Sequence, residues 1–397
     1  MRIGIDARSL KKQRTGIGNY IHGLANLLPQ VAPEHHYFFY SNREIDLGVS
    51  GKRVSEQIDR AFGWCPGSFW LRGRGGSLIR RDQLDVFWAT YPILPAWVPS
   101  GVLKIVTVYD LVWLRFPETT ANYALLVQKI WARKAIEKAD LIVTISRSTA
   151  EDLVRELGVP ETKIRCVYPG VVERYKRRDP QLAAAYVSRK YGVSPNYMAA
   201  VGTVEPRKNL KLLVEVVRIL KSNGQLTCPL LVVGASGWKS SPLFRQIQAA
   251  GLTEDEIRFL GYLSDEDLPF FYSGAEVFLF PTLYEGFGLP PVEAMACGTP
   301  VIASNARCMP EVLGDAAILE PPDSAQRFAD AILKLRADVN LRRAMQEAGV
   351  HKAEEYSCQA SAKQLLGFIE RQHPLNGRAM EPPKGARSSS AYNQKTR

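Results

Sequence analysis

Two glutamates, Glu285 and Glu293, stand eight positions apart around a glycine-bearing turn, in the run Pro281-Thr282-Leu283-Tyr284-Glu285-Gly286-Phe287-Gly288-Leu289-Pro290-Pro291-Val292-Glu293. The turn follows a short apolar strand and leads into a helix whose opening is marked by Pro290 and Pro291. A helix N-terminus offers unpaired N–H groups and the positive end of a dipole, and glycines let a ligand approach the backbone closely. The turn therefore reads as an anion cradle framed by two carboxylates, each able to accept a pair of vicinal hydroxyls. A pyrophosphate flanked by a sugar and a ribose has the complementary pattern. Glu293, placed in the first helical turn, could instead serve only to balance the dipole. That reading leaves Glu285, Gly286 and Gly288 without a role.

A second cluster, Gly202-Thr203-Val204-Glu205-Pro206-Arg207-Lys208-Asn209-Leu210, also follows a strand and precedes a helix, here Leu210 to Leu220. Two cations at a helix N-terminus oppose its dipole unless an anion joins them. Phosphate oxygens would supply that anion, and a salt bridge to Glu205 is the plainer alternative. In the first half, Thr15-Gly16-Ile17-Gly18-Asn19-Tyr20 opens a helix but fails the dinucleotide fingerprint. It lies far past its strand, Ile21 occupies the third glycine position, and the second strand ends Tyr40-Ser41-Asn42 without a ribose-binding acid.

Other chemistries find little support. Ser264-Asp265-Glu266-Asp267 resembles a D-x-D metal site, but Ser264 and Asp267 before an apolar run fit an N-cap with its third-position acid. The five histidines, His22, His35, His36, His351 and His373, lie outside every motif, so no metal site is expected. There is no G-x-S-x-G, and Cys297 falls inside the proposed helix as a buried thiol.

These loops need strand ends brought together, and the chain alternates short apolar strands with longer amphipathic segments nearly throughout, the rhythm of doubly wound α/β domains. The first half offers strands at 2–6, 37–41, 85–88, 103–109, 141–145 and 164–168. The second offers 197–202, 230–234, 257–260, 277–280, 301–304 and 316–320. The polar stretch from Glu173 to Pro195 separates the series, giving a first domain over 1–195 and a second over 196–356. A last amphipathic helix spans 357–371, and a basic, Pro-, Gly- and Ser-rich tail over 372–397 is expected to be disordered.

A chain of 397 residues, 46% hydrophobic, is long enough for two or three packed domains. Its six scattered cysteines form no C-x-x-C pair and fit a reducing cytosol. The start resembles no signal peptide and no stretch is apolar enough to span a bilayer, so a cytoplasmic protein is expected. The net charge of +11 is concentrated: residues 51–81 carry seven Lys/Arg against two acids, and 372–397 five against one. In the first of these segments Phe62, Trp64, Phe69, Trp70 and Leu71 mix with Arg60, Arg72, Arg74, Arg80 and Arg81. That composition suits an anionic lipid interface, or else the aromatics are buried. Charge so confined does not suit nucleic acid.

With these motifs in place, the chain resembles the retaining glycosyltransferases of family 4, which have the GT-B fold of two Rossmann-like domains facing across a cleft, and the likeness runs to Arg371. The carriers are Glu285–Glu293 within Tyr-Glu-Gly-Phe-Gly-Leu-Pro-Pro-Val-Glu-Ala-Met-Ala-Cys-Gly-Thr-Pro-Val, and Glu205-Pro206-Arg207-Lys208-Asn209. The resemblance implies that Glu285 contacts the donor sugar and Glu293 the nucleotide ribose. It further implies that Arg207 and Lys208 neutralise the diphosphate, aided by backbone N–H groups around Phe287, Gly288 and Leu289, with Gly202 at the donor site and Gly16 opposite. The loop with Tyr262 and Leu263 would line the nucleobase, and the last helix would cross back to the first domain. No cofactor or metal would be needed. Where many relatives have His-Asp after the fourth strand, this chain has Tyr109-Asp110. Tyr109 is read as a sugar contact, unsuited to act as a base near neutrality, and Asp110 as an acceptor-side or structural group.

The opening Arg-Ile-Gly-Ile-Asp-Ala-Arg, the Thr-Gly-Ile-Gly-Asn-Tyr loop and Val-Tyr-Asp-Leu-Val-Trp-Leu-Arg-Phe-Pro-Glu-Thr are similar to bacterial polysaccharide and O-antigen mannosyltransferases. They imply a GDP-mannose donor, with a UDP-hexose as the alternative, and a glycan or lipid-linked acceptor at the inner membrane face. The rival readings are a GT-B-like sugar-nucleotide epimerase and a catalytically silent sugar-nucleotide-binding protein.

Overall fold

The computed structural model describes residues 1–12, 16–117, 125, 128–235 and 241–373. Its strands are short, and those at the middle of the sheets are almost wholly buried: Val-Phe-Trp-Ala, Leu-Leu-Val-Val, Val-Phe-Leu-Phe and Val-Ile-Ala-Ser are buried throughout. Strands apolar on both faces are what a parallel sheet covered by helices on both sides requires.

Two such sheets form. The first contains β1 (Arg2–Asp6), β2 (His36–Ser41), β3 (Val54–Ile58), β4 (Val86–Ala89), β5 (Leu103–Val108), β6 (Leu141–Thr144) and β7 (Ile164–Cys166), in the order β3-β2-β1-β4-β5-β6-β7. The second contains β8 (Met198–Val201), β9 (Leu230–Val233), β10 (Ile257–Gly261), β11 (Val277–Phe280), β12 (Val301–Ser304) and β13 (Ile318–Glu320), in the order β10-β9-β8-β11-β12-β13. Every paired strand is parallel. The order reverses between β1 and β4 and again between β8 and β11, so loops at the carboxyl ends of these strands open onto crevices where ligands bind. The expected pair of doubly wound domains is present.

Differences from the sequence reading are local. The strand Val54–Ile58 was not anticipated, because Arg53, Glu56 and Asp59 break its apolar pattern and it pairs only with β2 at the sheet edge. The helix Pro180–Tyr191, counted with the first domain above, packs on the helix Leu268–Ser273 of the second. Tyr186, Lys190 and Tyr191 all bond the buried Asp267 there. The final helix, Cys358–Gln372, returns to pack along Gly16–Val31 of the first domain. Where the chain crosses back, Val171 N donates to Tyr356 O at 2.8 Å, and Val171 pairs with Ser357. Of the basic tail expected from residue 372, all but Gln372 and His373 lies outside the described residues.

The aromatic, arginine-rich segment is divided between the interior and the surface. Trp70 and Leu71 are buried in the first domain, on the helix Gly67–Arg81, whereas Trp64 is 79% and Phe69 49% exposed. Arg72 lies over Trp131, Arg74 over Phe62 and Arg80 over the half-exposed Trp97.

Candidate active site at the cleft between the domains

The loop after β11 carries Glu285 into the gap between the sheets, and the helix Leu289–Ala296 follows with Gly288 as its N-cap. Gly288 has φ +87°, a left-handed conformation that costs glycine nothing. Gly286 is needed for a different reason: a Cβ there would lie 2.0 Å from Tyr109 O, so the loop presses against the opposite domain. Glu293 falls in the second turn of the helix rather than the first, and Tyr272 Oη donates to its Oε2 at 2.9 Å. Side-chain bonding, not dipole balance alone, accounts for its position.

Arg207 and Lys208 occupy a short 3-10 turn, Pro206–Lys208, after β8. Arg207 Nη1 lies 2.9 Å from Glu285 Oε2 and donates to Tyr284 O at 2.8 Å, and its Nη2 reaches Glu205 Oε1 at 2.6 Å. Lys208 Nζ donates to Glu285 Oε1. The salt bridge to Glu205 weighed above is real, and it coexists with the pairing to Glu285. Gly202 lies against the aliphatic stem of Lys208.

The two carboxyls differ sharply. Burial alone would raise the pKa of Glu285, but the charges and hydrogen bonds of Arg207 and Lys208 overcome it and hold the group at about 2. At Glu293 burial prevails over hydrogen bonds from Tyr272 and Tyr175, and its pKa is pushed up to about 7. Asp110, at the end of β5, is also pushed up by burial, against the pull of Arg207; its Oδ1 accepts from Val112 N at 3.1 Å.

Tyr109 does not present its hydroxyl to the cleft. Its Oη donates to Thr90 O at 2.5 Å, and its ring meets Tyr20 and Tyr91 edge-on. Its single proton is committed within the first domain, so Tyr109 has none to offer a sugar hydroxyl in this arrangement. Gly16, at the start of its helix, faces Leu289 across the gap: a Cβ there would lie 3.8 Å from the Leu289 side chain. Phe287 is buried against Tyr168 and Tyr356, so only its backbone can serve a ligand. After β10, Tyr262 is 57% exposed while Leu263 is buried in the core. Asp267, the last acid of the D-x-D-like run, is bonded by Lys190, Tyr186, Tyr191 and Ser264, and Asp265 pairs with Arg174. Among the described residues a group with ligand spacing, Glu34, His35 and Glu370, lies at the start of β2, at the opposite end of the sheet from the cleft.

Four residues at the cleft were not anticipated: Tyr284, Asp152, Arg307 and Glu311. Tyr284 Oη accepts from Leu111 N at 3.1 Å and donates to Asp152 Oδ2 at 3.0 Å. Arg307 reaches the same carboxylate, and Glu311 accepts from Arg147 N and Ser148 N at 2.7 and 2.9 Å. The only trace of this role in the sequence is that Tyr284 opens the recognised motif and Arg307 lies shortly beyond its end.

The second half, residues 187–352, matches the family model for glycosyl transferases group 1, and residues 14–174 match that of glycosyltransferase family 4. The chain is 30% identical to the O-antigen chain mannosyltransferase B of Escherichia coli, over 92% of this chain and 98% of that one. It is 29% identical to a D-inositol 3-phosphate glycosyltransferase of Corynebacterium jeikeium, over 80% and 74%. Among solved structures, the Anabaena protein HepE in complex with UDP-glucose superposes with a TM-score of 0.70 at 16% identity, over 94% of this chain and 100% of that one. The likeness to HepE is one of fold, and it is the GT-B fold expected above.

Proposed function

The chain belongs to glycosyltransferase family 4, and for this glycosyltransferase we propose the transfer of mannose from GDP-mannose, with retention at the anomeric carbon, to a glycan or lipid-linked oligosaccharide in cell-surface polysaccharide synthesis. The observation that carries this reading is the pairing of Glu285 with Arg207 and Lys208 beside a glycine-capped helix N-terminus, with Glu293 in the same helix. A diphosphate entering there meets two cations and the helix end, and it competes with Glu285 for Lys208. Glu285 is thereby freed to contact the sugar as positive charge develops at its reacting carbon. The nucleotide diphosphate leaves with the bonding electron pair, stabilised by Arg207, Lys208 and backbone N–H groups around Phe287, Gly288 and Leu289. The acceptor hydroxyl bonds to the same carbon and passes its proton to the departing diphosphate oxygen. Glu293 takes the ribose hydroxyls, and Tyr262 with the backbone at Leu263 borders the base. Because side-chain cations carry the leaving charge, the reaction proceeds without metal.

The mannose assignment leans on the Escherichia coli relative, which aligns over nearly its full length. The acceptor assignment leans on the exposed Trp64, Phe69 and Trp97 beside Arg72, Arg74 and Arg80, a surface suited to the anionic inner face of a membrane. No helix among the described residues is long and apolar enough to cross a membrane, so contact at this surface would be peripheral.

The test is nucleotide release from a panel of sugar nucleotides in the presence of a chelator, with Glu285→Ala as control and membrane-extracted acceptors added. Turnover of GDP-mannose alone, lost in the control, is expected. Turnover of UDP-glucose instead would replace the donor, and tight nucleotide binding with no turnover under any acceptor would favour a silent binding protein. Neutralising Arg72, Arg74, Arg80 and Arg81 is expected to release the protein from anionic vesicles, and unchanged vesicle binding would remove the membrane assignment.

A further inference from the structure

Asp152 lies on the helix Arg147–Leu157 of the first domain with a side chain only 1% exposed, and a carboxylate so buried must be compensated. Arg115 and Arg155, from its own domain, supply part of that compensation at 3.0 and 2.5 Å. The rest comes from across the cleft: the guanidinium of Arg307 and the hydroxyl of Tyr284. Tyr284 immediately precedes Glu285. Its hydroxyl is fixed to the first domain through Asp152 and Leu111 N, while its carbonyl is fixed to the second through Arg207. The position of the Glu285 loop is thus determined by both domains together.

Arg307 holds φ +51°, in the left-handed region where a side chain strains the backbone. A strained non-glycine residue whose side chain reaches a buried carboxylate on the opposite domain points to a role for that reach. Four residues on, Glu311 caps the first N–H groups of the helix that carries Asp152, with Tyr168 Oη donating to it at 2.8 Å. The stretch 307–311 therefore grips one helix twice, with an anion at its positive end and a cation at its buried acid.

We infer that Arg307 and Asp152 are positioning residues, forming an ion pair across the cleft that, through Tyr284, sets Glu285 for transfer only when the domains close. The inference rests on reading Glu285 as the carboxylate at the donor sugar. It makes closure a condition for catalysis and leaves most of the nucleotide affinity to the second domain, because the partners of Asp152 do not include Arg207, Lys208 or Glu293.

The decisive variant is Arg307→Gly, which removes the side chain and relieves the strained backbone, an offset to the lost pairing at Asp152, where Arg115 and Arg155 remain. Expected are a kcat lowered by about 100-fold, as for a reacting group displaced by about an ångström, and a nucleotide Kd by calorimetry within about twofold of the parent. Tyr284→Phe, which loses the hydroxyl bonded to Asp152, is expected to lower kcat in the same way. Combining it with Arg307→Gly is expected to cost less than the product of the two, since both act through one carboxylate. Arg307→Lys is expected to restore part of the rate. Parental kcat in Arg307→Gly overturns the inference, as does an equal loss of kcat and nucleotide affinity, which would mark a merely structural contact. The underlying reading fails separately: if Glu285→Gln turns over like the parent, Glu285 is not the group being positioned, whatever Arg307 does.

Discussion

Glu285 and Glu293 belong to a single strand–turn–helix passage, and their surroundings drive their carboxyls in opposite directions. One is enclosed by a guanidinium and an ammonium and stays ionised far below neutrality; the other is enclosed by tyrosine hydroxyls and hovers near half-protonation at pH 7. Residue type and spacing alone would make the pair look symmetrical. The asymmetry comes from what each faces: the cation turn after β8 on one side, and Tyr272 and Tyr175 on the other. A permanently charged group suits the place where charge develops during reaction, and a group near its titration point suits reversible binding of hydroxyls.

The strongest way to break this contrast is Glu285→Gln, which keeps the shape and deletes the charge. Initial rates are expected to fall on the order of 1,000-fold with nucleotide binding nearly unchanged, and a loss confined to KM would show that the two glutamates share one task. Next comes Lys208→Met, expected to cost about 100-fold in kcat and to raise the pKa of Glu285, visible as a new acidic limb in the pH–rate profile.

A smaller effect is expected at the other glutamate. Protonation removes an acceptor, so nucleotide affinity should weaken as pH falls through about 7, by about tenfold between roughly pH 8 and pH 6. Glu293→Gln should flatten that dependence, and calorimetry at the two pH values reads both. Smallest is Tyr272→Phe, which removes a hydrogen bond that favours the charged form. The pH midpoint for nucleotide binding should rise by roughly half to one pH unit, and a downward move would contradict the role given to Tyr272.

The contrast also shows what the sequence can and cannot convey. The strand–loop–helix passages around Glu285 and Arg207 are legible because apolar runs, glycines and prolines act locally, and their order along the chain is enough to place them at strand ends. Val54–Ile58 is hidden because an edge strand needs apolar residues on only part of its surface, and charged neighbours blur the alternation. Asp152 is hidden for another reason. In its helix it looks like one half of an ordinary surface pair with Arg155, and nothing local says that Arg307, 155 positions away, completes its surroundings. The commitment of the Tyr109 hydroxyl is hidden because its partner, the Thr90 carbonyl, belongs to the backbone and leaves no trace in residue types.

The chain passes between the domains twice, once in the stretch beginning at Val171 and again at Tyr356–Ser357, and the two passages are hydrogen-bonded to each other. A joint made of one covalent strand permits swivelling about several axes. Two strands laid side by side leave fewer. Any parting of the domains would have to break the contacts that the 307–311 stretch makes with the helix Arg147–Leu157. The final helix, packed along Gly16–Val31, clamps the second of these strands to the first domain, so that the chain's last turn acts as a brace on the cleft it closes behind.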